Sequence, residues 1–189
     1  MKGSGHSSRI PDHSLLKKED FLFDYMDSFQ HYFFDREDTI DITSVGKMFF
    51  SSGSTWINGL FAIRNKVVGW IGLKTPEHLK DRKPQAEAFT FEPGQRLGLF
   101  KVFDKTAQEV VLGEDDRHLN FKVSLLLESL LEGNGKKRVS ITTAVTFNNR
   151  FGRFYFMLVR PFHKIIVKTL LKRMVQRMES TKPLLAKQA

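Results

Sequence analysis

Two consecutive segments of alternating apolar and polar residues constrain the fold of this chain most. Between residues 117 and 129 every second side chain is apolar, and the pattern recurs at residues 139–147. Because successive side chains of a strand point to opposite faces of a sheet, each segment predicts a strand with one covered face. The connection at residues 132–136 contains two glycines, which favours a hairpin loop. The covered face is expected to carry Leu119, Phe121, Val123, Leu125, Leu127, Ile141, Thr143 and Val145.

The remaining pattern separates into further strands and three helices. Alternation predicts a strand at residues 21–33, and strand-like composition predicts further strands at residues 89–91, 96–103 and 109–114. Helical spacing of apolar residues predicts helices at residues 38–50, 54–73 and 149–178. Asp41 or Thr39 is expected to cap the first helix, and Asn149 the last one. The last helix is expected to face the sheet with Phe151, Tyr155, Leu158, Phe162, Ile165, Ile166 and Leu170.

This order of elements predicts an α+β domain of the helix-grip type. A curved antiparallel β-sheet wraps around a long C-terminal helix, and two short helices after the first strand close one end. Such an arrangement commonly leaves an apolar cavity between sheet and helix. We expect a flexible leader at residues 1–18, a single domain at residues 19–179 and a frayed tail at residues 180–189.

Composition and motifs exclude several classes of protein. The chain has no cysteine, so neither a disulfide framework nor a thiolate nucleophile is available. No nucleotide-binding loop, zinc-protease motif or nucleophile elbow occurs, and we expect neither metal nor cofactor. No apolar run has the length of a membrane span, and no signal peptide is visible, so we expect a cytoplasmic protein.

The last predicted helix is strongly basic. The net charge is +9, and residues 150–177 contain eight Lys or Arg and no acid. This face is either a solvated surface or a contact for an anionic surface, made by Arg160, Lys164, Lys168 and Lys172. Nucleic acid is not the expected partner, because no reading motif is present and the aromatic residues lie at core positions.

Arg64 interrupts the apolar stripe of the second predicted helix, between Phe61 and Val67. An unpaired guanidinium at a buried position costs several kcal/mol, so the side chain must be paired or must extend to solvent. A structural ion pair and a ligand anchor both satisfy that condition.

The segment Gly113–His118 places three acids, an arginine and a histidine at a strand junction. Strand alternation puts Arg117 on the same face as Leu119, with Asp116 and His118 on the other. A bulge at Asp115 or Asp116 would reverse this assignment. A solvated turn with a local ion pair is the alternative interpretation.

Four motifs resemble a known family. They are I-R-N-K-V-V-G-W-I-G-L (63–73), V-V-L-G-E-D-D-R-H-L-N-F (110–121), S-I-T-T-A-V-T-F-N-N-R-F-G-R-F-Y-F (140–156) and V-R-P-F-H-K-I-I-V (159–167). Together they resemble a largely bacterial family catalogued as domain of unknown function 2867, over roughly residues 20–173. The resemblance implies a START-like (SRPBCC) helix-grip fold with a hydrophobic cavity, and it transfers no catalytic residues.

The leading hypothesis is a binding module for a small hydrophobic or amphipathic molecule. Arg64 and Arg117 would anchor a polar head, Tyr155 and Phe162 would line the wall, and Asp27, Asp115, Asp116 and His163 would complete the site. The first rival is an enzyme of cyclase, dehydratase or isomerase type that uses an aspartate with His163 or His118. The second rival is a non-catalytic partner subunit that docks through its basic helix.

Overall fold

A computed structural model describes residues 4–7, 9–52, 88–130 and 135–180. The second predicted helix, at residues 54–73, lies outside the described residues, and Arg64 lies there with it. The tail that we expected at residues 180–189 is likewise outside them after Ser180.

The described residues form a seven-stranded sheet in which every neighbouring pair is antiparallel. The strands are β1 (Ser4–Ser7), β2 (Tyr25–Phe34), β3 (Arg96–Leu97), β4 (Phe100–Lys105), β5 (Glu109–Asp115), β6 (Leu119–Ser129) and β7 (Lys136–Phe147). Their spatial order is β1-β2-β7-β6-β5-β4-β3, so consecutive strands from β3 to β7 are neighbours and β2 pairs with β7. The α+β class with an antiparallel sheet is therefore confirmed.

Three helices complete this part of the chain: a 3-10 helix (Leu15–Leu22), α1 (Ile42–Ser52) and α2 (Arg150–Ser180). Of the two expected caps of α1, Asp41 is the one used, since its Oδ1 accepts the amide of Ser44 at 2.8 Å. Asn149 caps α2 by accepting the amide of Gly152 at 3.0 Å. The long C-terminal helix is therefore confirmed, and it starts at the expected cap.

The inner face of the sheet, defined by Val123, Leu125, Val139 and Ile141, packs with α1 and α2 into the main core. From α2 the core receives Val167, Leu170, Leu171, Met174, Val175 and Met178. The alternation in β6 and β7 thus places the predicted apolar residues on the covered side, as expected for a period of two.

The rotation of α2 about its axis differs from the expected one. Phe162, Leu158 and Ile165 were expected to face the sheet, and all three are exposed. The buried stripe consists instead of Gly152, Phe156, Val159, His163 and Val167, and of the expected stripe Leu170 alone is buried. Close packing at Gly152 explains this choice, because a Cβ at residue 152 would lie 2.0 Å from the carbonyl oxygen of His118. Only this side of the helix can approach the end of the β5–β6 hairpin so closely.

Three of the predicted strands also differ from the structure. The one expected at residues 96–103 is divided into β3 and β4, which pair with each other around Gly98, whose φ is 63°. The strand expected at residues 21–33 begins only at Tyr25, because Ser14 caps a 3-10 helix that ends at Leu22. Residues 89–91 form no strand, since Phe91 has a positive φ of 61°. Its ring is buried against Gly46 of α1, where a Cβ would lie 2.6 Å from the ring. Tight ring packing therefore replaces strand pairing at this position.

The outer face of the sheet is covered by residues that precede β2. Ile10 and Leu16 pack against Val111 of β5 and Ala144 of β7. Buried Glu109 accepts hydrogen bonds at 2.6 Å from both the Ser14 hydroxyl and the Leu15 amide. Residues 9–18, which we expected to belong to a leader, thus make defined contacts with the sheet.

A buried ion pair joins the start of β7 to the loop after β2. Lys137 Nζ lies 2.9 Å from Asp35 Oδ2 and 2.6 Å from Asp38 Oδ1, and it donates to the Ile40 carbonyl at 2.9 Å. Burial alone would raise the pKa of Asp35, but the Ile40 amide and Lys137 outweigh it and lower the pKa to about 2. The carboxylate is therefore charged throughout the physiological range.

Because of the Asp35–Lys137 ion pair, we expect the free energy of unfolding to fall in acid. The folded pKa of Asp35 is about 2 against an ordinary value of 3.8, so the group stabilises the fold fully above pH 3.8. About 2 kcal/mol should be lost as the pH falls from 3.8 towards 2. Urea unfolding over a pH series measures this loss. Asp35→Asn should lack this part of the slope, and an equal slope in both proteins would contradict the assignment.

Candidate functional site

A cavity of about 190 Å³ lies between the inner face of the sheet and the first half of α2. Its described apolar lining comprises Phe49, Leu99, Phe100, Leu119, Phe121, Val123, Ile141, Val145, Phe156, Val159 and Val167. Its described polar lining comprises Glu114, Asp116, Thr143, Tyr155 and His163. A cavity of about 150 Å³ accommodates one benzene molecule, so this space suits a ligand of similar or slightly larger size.

His163, a lining residue on α2, is paired behind the cavity wall with Asp27 of β2, which is not among the described lining residues. His163 Nε2 lies 3.4 Å from Asp27 Oδ1, and both residues are buried. Tyr25 donates its hydroxyl proton to the other carboxylate oxygen, Asp27 Oδ2, at 2.6 Å. Because Asp27 has partners on both oxygens, the carboxylate can stay buried and hold the imidazole in place.

Tyr25 remains a hydrogen-bond donor to Asp27 at physiological pH. Burial and the hydrogen bond to the Asp27 carboxylate raise the pKa of Tyr25 above its ordinary value. The guanidinium of Arg160 lies 4.9 Å from the centre of the Tyr25 ring, and Phe156 packs against the same ring at 4.7 Å. These contacts fix the phenol at the α2 side of Asp27.

Thr143 is the unusual polar residue of the wall. It lies on the inner face of β7, opposite Asp27 in β2 and Val123 in β6. Its side chain is only 3% exposed, and its hydroxyl has no hydrogen-bond partner among the residues that the structure describes. A buried hydroxyl without a partner costs roughly 1–3 kcal/mol. A ligand group in the cavity would relieve that cost.

Acidic side chains lie at the end of the cavity near the β5–β6 hairpin. Glu114 is paired with Arg96 of β3, whose Nη2 lies 3.2 Å from Oε1. Asp116 is exposed at the hairpin and also lines the cavity. This part of the lining therefore carries two carboxylates, of which that of Glu114 is neutralised by Arg96.

Strand alternation predicted that Arg117 faces the cavity, and this prediction is wrong. The amide of Asp116 bonds the carbonyl of Leu119 at 3.2 Å and closes a turn with Arg117 and His118 at its centre. Strand alternation begins only at Leu119, and turn residues do not follow it. Arg117 is exposed, and it is not among the described lining residues.

The structure brings together four of the predicted site residues. Asp27 and His163 are in contact, and Asp116 and Tyr155 line the same cavity. Asp115 is exposed at the end of β5, and Phe162 is exposed on α2, where it was expected to line the wall. His118 packs edge-on against Phe151 at 4.8 Å and contacts the Asn149 side chain. Of the two candidate imidazoles, His163 is therefore the one that lines the cavity.

Sequence reasoning missed Thr143 as a site residue. Its signal was available, because Thr143 shares the inner parity of Ile141 and Val145, and a hydroxyl at such a position needs a partner. Phe156 and Val159 were missed because α2 was assigned the wrong rotation.

Neither a metal-binding group nor a membrane-spanning helix occurs among the described residues. No group of three or more His, Cys, Asp or Glu side chains there could hold a metal ion. None of the helices described has the length and apolar character needed to cross a bilayer.

Comparison with known proteins gives one match. Residues 22–170 match the family model described as "Protein of unknown function (DUF2867)". A search of curated proteins finds no match, and neither does a search of solved structures. The matched range runs from the end of the 3-10 helix to the middle of α2 and contains the whole described cavity lining. The chain belongs to the DUF2867 family.

Proposed function

We propose that the protein binds a small, mostly apolar molecule in the cavity between the sheet and α2, within a START-like helix-grip fold. The observation that carries this proposal is the unpartnered Thr143 hydroxyl, buried beside the Asp27–His163 pair in a mostly apolar wall. A few oriented polar groups in an apolar cavity are the usual composition of a ligand site. Tyr155 and Asp116 complete the proposed lining.

The lining also restricts the chemistry of the ligand. A molecule with one aromatic ring or a short aliphatic chain matches the volume. Its polar group meets Thr143, which can donate or accept, close to the carboxylate of Asp27. A hydroxyl, amide or amine suits this position better than a carboxylate, since like charges repel. The anionic head that we expected would depend on Arg64.

The first experiment asks whether the cavity binds such molecules. Native mass spectrometry of the purified protein should show a bound small molecule, and thermal shift should find stabilising compounds among matched phenols, aromatic amines and aromatic carboxylates. We expect phenols or amines to stabilise the protein more than the carboxylates do. A preference for carboxylates would indicate a cationic anchor such as Arg64. No binding in either measurement would contradict the proposal.

Thr143→Val is the matching variant, since valine keeps the shape and removes the hydroxyl. We expect ligand affinity to fall about tenfold, which corresponds to one lost hydrogen bond. The ligand-free variant should be as stable as the parent or about 1 kcal/mol more stable, because the unpartnered group is gone. Isothermal titration and urea unfolding measure the two quantities.

Thr142→Val provides the control on the neighbouring position. Thr142 lies on the outer face, where its hydroxyl is 2.9 Å from that of Ser28. This variant should lose about 1 kcal/mol of stability and keep ligand affinity. Equal binding by both variants would show that Thr143 does not contact the ligand.

The Asp27–His163 pair supports a second candidate, an enzyme that uses acid–base catalysis. Asp27 would orient the imidazole, and His163 would remove or return a proton on a bound molecule. In D2O, bound ligands with an acidic C–H bond should then exchange that proton for deuterium. We expect exchange with the parent protein and with His118→Gln, and none with His163→Gln. If the parent and both variants bind the ligand but none of them exchanges its proton, the protein is a binding module and not an enzyme of this type.

A further inference from the structure

A second apolar stripe runs along the solvent side of α2. Its members are large side chains that are between 41% and 66% exposed: Phe154, Met157, Leu158, Phe162 and Ile165. The spacing of three, four, eight and eleven residues from Phe154 places them on one side of the helix, opposite the buried Phe156, Val159 and His163. We call these five residues the outer stripe. Contiguous exposed apolar surface of this kind usually marks an interaction site.

Basic side chains border the outer stripe. Arg153, Arg160, Lys164 and Lys168 lie along one edge of it, and α2 has no acidic residue before Glu179. Two of these side chains extend over rings of β2, with Arg160 4.9 Å from the Tyr25 ring centre and Lys168 5.5 Å from that of Phe29. Their charges are thereby held beside the stripe.

We propose that the outer stripe docks on an anionic lipid surface, with α2 lying parallel to that surface. An apolar ridge inserts among acyl chains, while the neighbouring cations meet negative headgroups. The combination of five exposed apolar residues and four bordering cations on one helix supplies both contacts. The ridge presents side chains of a single helix, which a fluid lipid layer accommodates without a matching groove.

Charge argues against two other occupants of the outer stripe. A second copy of the chain would bring two cationic borders together, which is unfavourable. Residues 53–87 of the same chain contain six Lys or Arg against three Asp or Glu, so this segment is also cationic. An acidic protein matches the charge, but it would need a groove shaped to this ridge of five apolar side chains, whereas a lipid layer does not.

Vesicle flotation of the full chain tests the proposal. We expect binding to vesicles of three parts phosphatidylcholine to one part phosphatidylglycerol, and much weaker binding to phosphatidylcholine alone. Phe162→Ser with Ile165→Ser should reduce binding to the anionic vesicles by roughly tenfold or more. Lys164→Gln with Lys168→Gln should reduce it by about fivefold for each charge removed.

Two control variants match these changes elsewhere on the surface. Phe34, at the end of β2, is 51% exposed, the same fraction as Phe162. Phe34→Ser and Lys101→Gln should therefore bind vesicles as the parent does. If they weaken binding as much as the variants in α2, the outer stripe is not the contact.

Three further results would overturn the proposal. The first is that the protein does not bind the anionic vesicles. If it binds polyglutamate and not the vesicles, the partner is an acidic protein. A lower melting temperature for Phe162→Ser with Ile165→Ser would show that another segment of the chain covers the stripe. A dimer in light scattering that this double variant dissociates would assign the stripe to a second copy.

Discussion

Replacing Lys137 by methionine should lower the free energy of unfolding by about 3–5 kcal/mol, close to the whole stability of a marginal domain. Methionine keeps most of the length and apolar volume of lysine, so packing changes little. What is lost is the charge that neutralises Asp35, a residue only 1% exposed. A buried carboxylate without its partner accounts for the expected size.

The contacts of Lys137 also explain why neighbouring residues cannot compensate. Its ammonium donates to Asp35 Oδ2 and to the carbonyl of Ile40, both at 2.9 Å, and thereby joins the start of β7 to the loop that precedes α1. Asp35 itself accepts the Ile40 amide at 2.8 Å. Removal of the ammonium leaves that carbonyl and the carboxylate in need of new donors in a buried place.

Urea unfolding followed by circular dichroism measures the effect, and two variants control it. Lys136→Met removes the adjacent lysine, which is partly exposed and lies over the Tyr32 ring, and it should cost about 1 kcal/mol or less. Asp35→Asn combined with Lys137→Met removes both charges and should recover part of the loss. A loss below about 1 kcal/mol for Lys137→Met alone would show that the pair is not buried as described.

Apolar patterning predicted two strands of the meander closely. The segment expected at 109–114 is β5 (Glu109–Asp115), and that expected at 139–147 is the larger part of β7 (Lys136–Phe147). β7 shows a period of two in its apolar residues because one face packs on the helices, whereas β5 is buried on both faces from Glu109 to Gly113 and shows none. Helix caps were predictable for a similar local reason, since Asp41 and Asn149 hydrogen-bond within a few residues of themselves.

The rotation of α2 could not be obtained from periodicity. Its first half is apolar on two opposite sides, so the stripe with Phe162 and the stripe with Phe156 both fit a helical spacing. The true inner stripe contains Gly152 and His163, which make it look less hydrophobic than the outer one. Close packing of Gly152 on the carbonyl of His118 determines the rotation of the helix, and this tertiary contact cannot be read from helical periodicity.

The candidate site was predictable in part for the same reasons. Asp27 lies on the apolar side of its strand, and the structure places it beside His163, 136 residues away in sequence. Arg117 was misplaced because the rule for strands was applied to a residue in a turn. Thr143 had the inner parity, but nothing local shows that its hydroxyl lacks a partner.

Deleting residues 1–16 should lower the free energy of unfolding by about 3–6 kcal/mol. The deletion removes Ile10 and Leu16 from the outer face, and burial of each contributes about 1.5–3 kcal/mol. It also removes the Ser14 hydroxyl and the Leu15 amide from the carboxylate of Glu109, a residue only 1% exposed. The Ser124 hydroxyl would be the one remaining donor to Glu109 among those described.

A pair of point variants separates this effect from a general cost of shortening the chain. Leu16 and Leu22 lie in the same 3-10 helix, but Leu16 is 2% exposed and Leu22 is 52% exposed. Leu16→Ala should therefore cost about 2–3 kcal/mol, and Leu22→Ala about 0.5 kcal/mol or less. Equal melting temperatures for these two variants, with a deletion variant as stable as the parent, would mean that the segment is a leader after all. A lower melting temperature for Leu16→Ala than for Leu22→Ala would make residues 9–18 part of the folded domain. In a detached leader, Leu16 would be as exposed as Leu22, and its truncation would cost equally little.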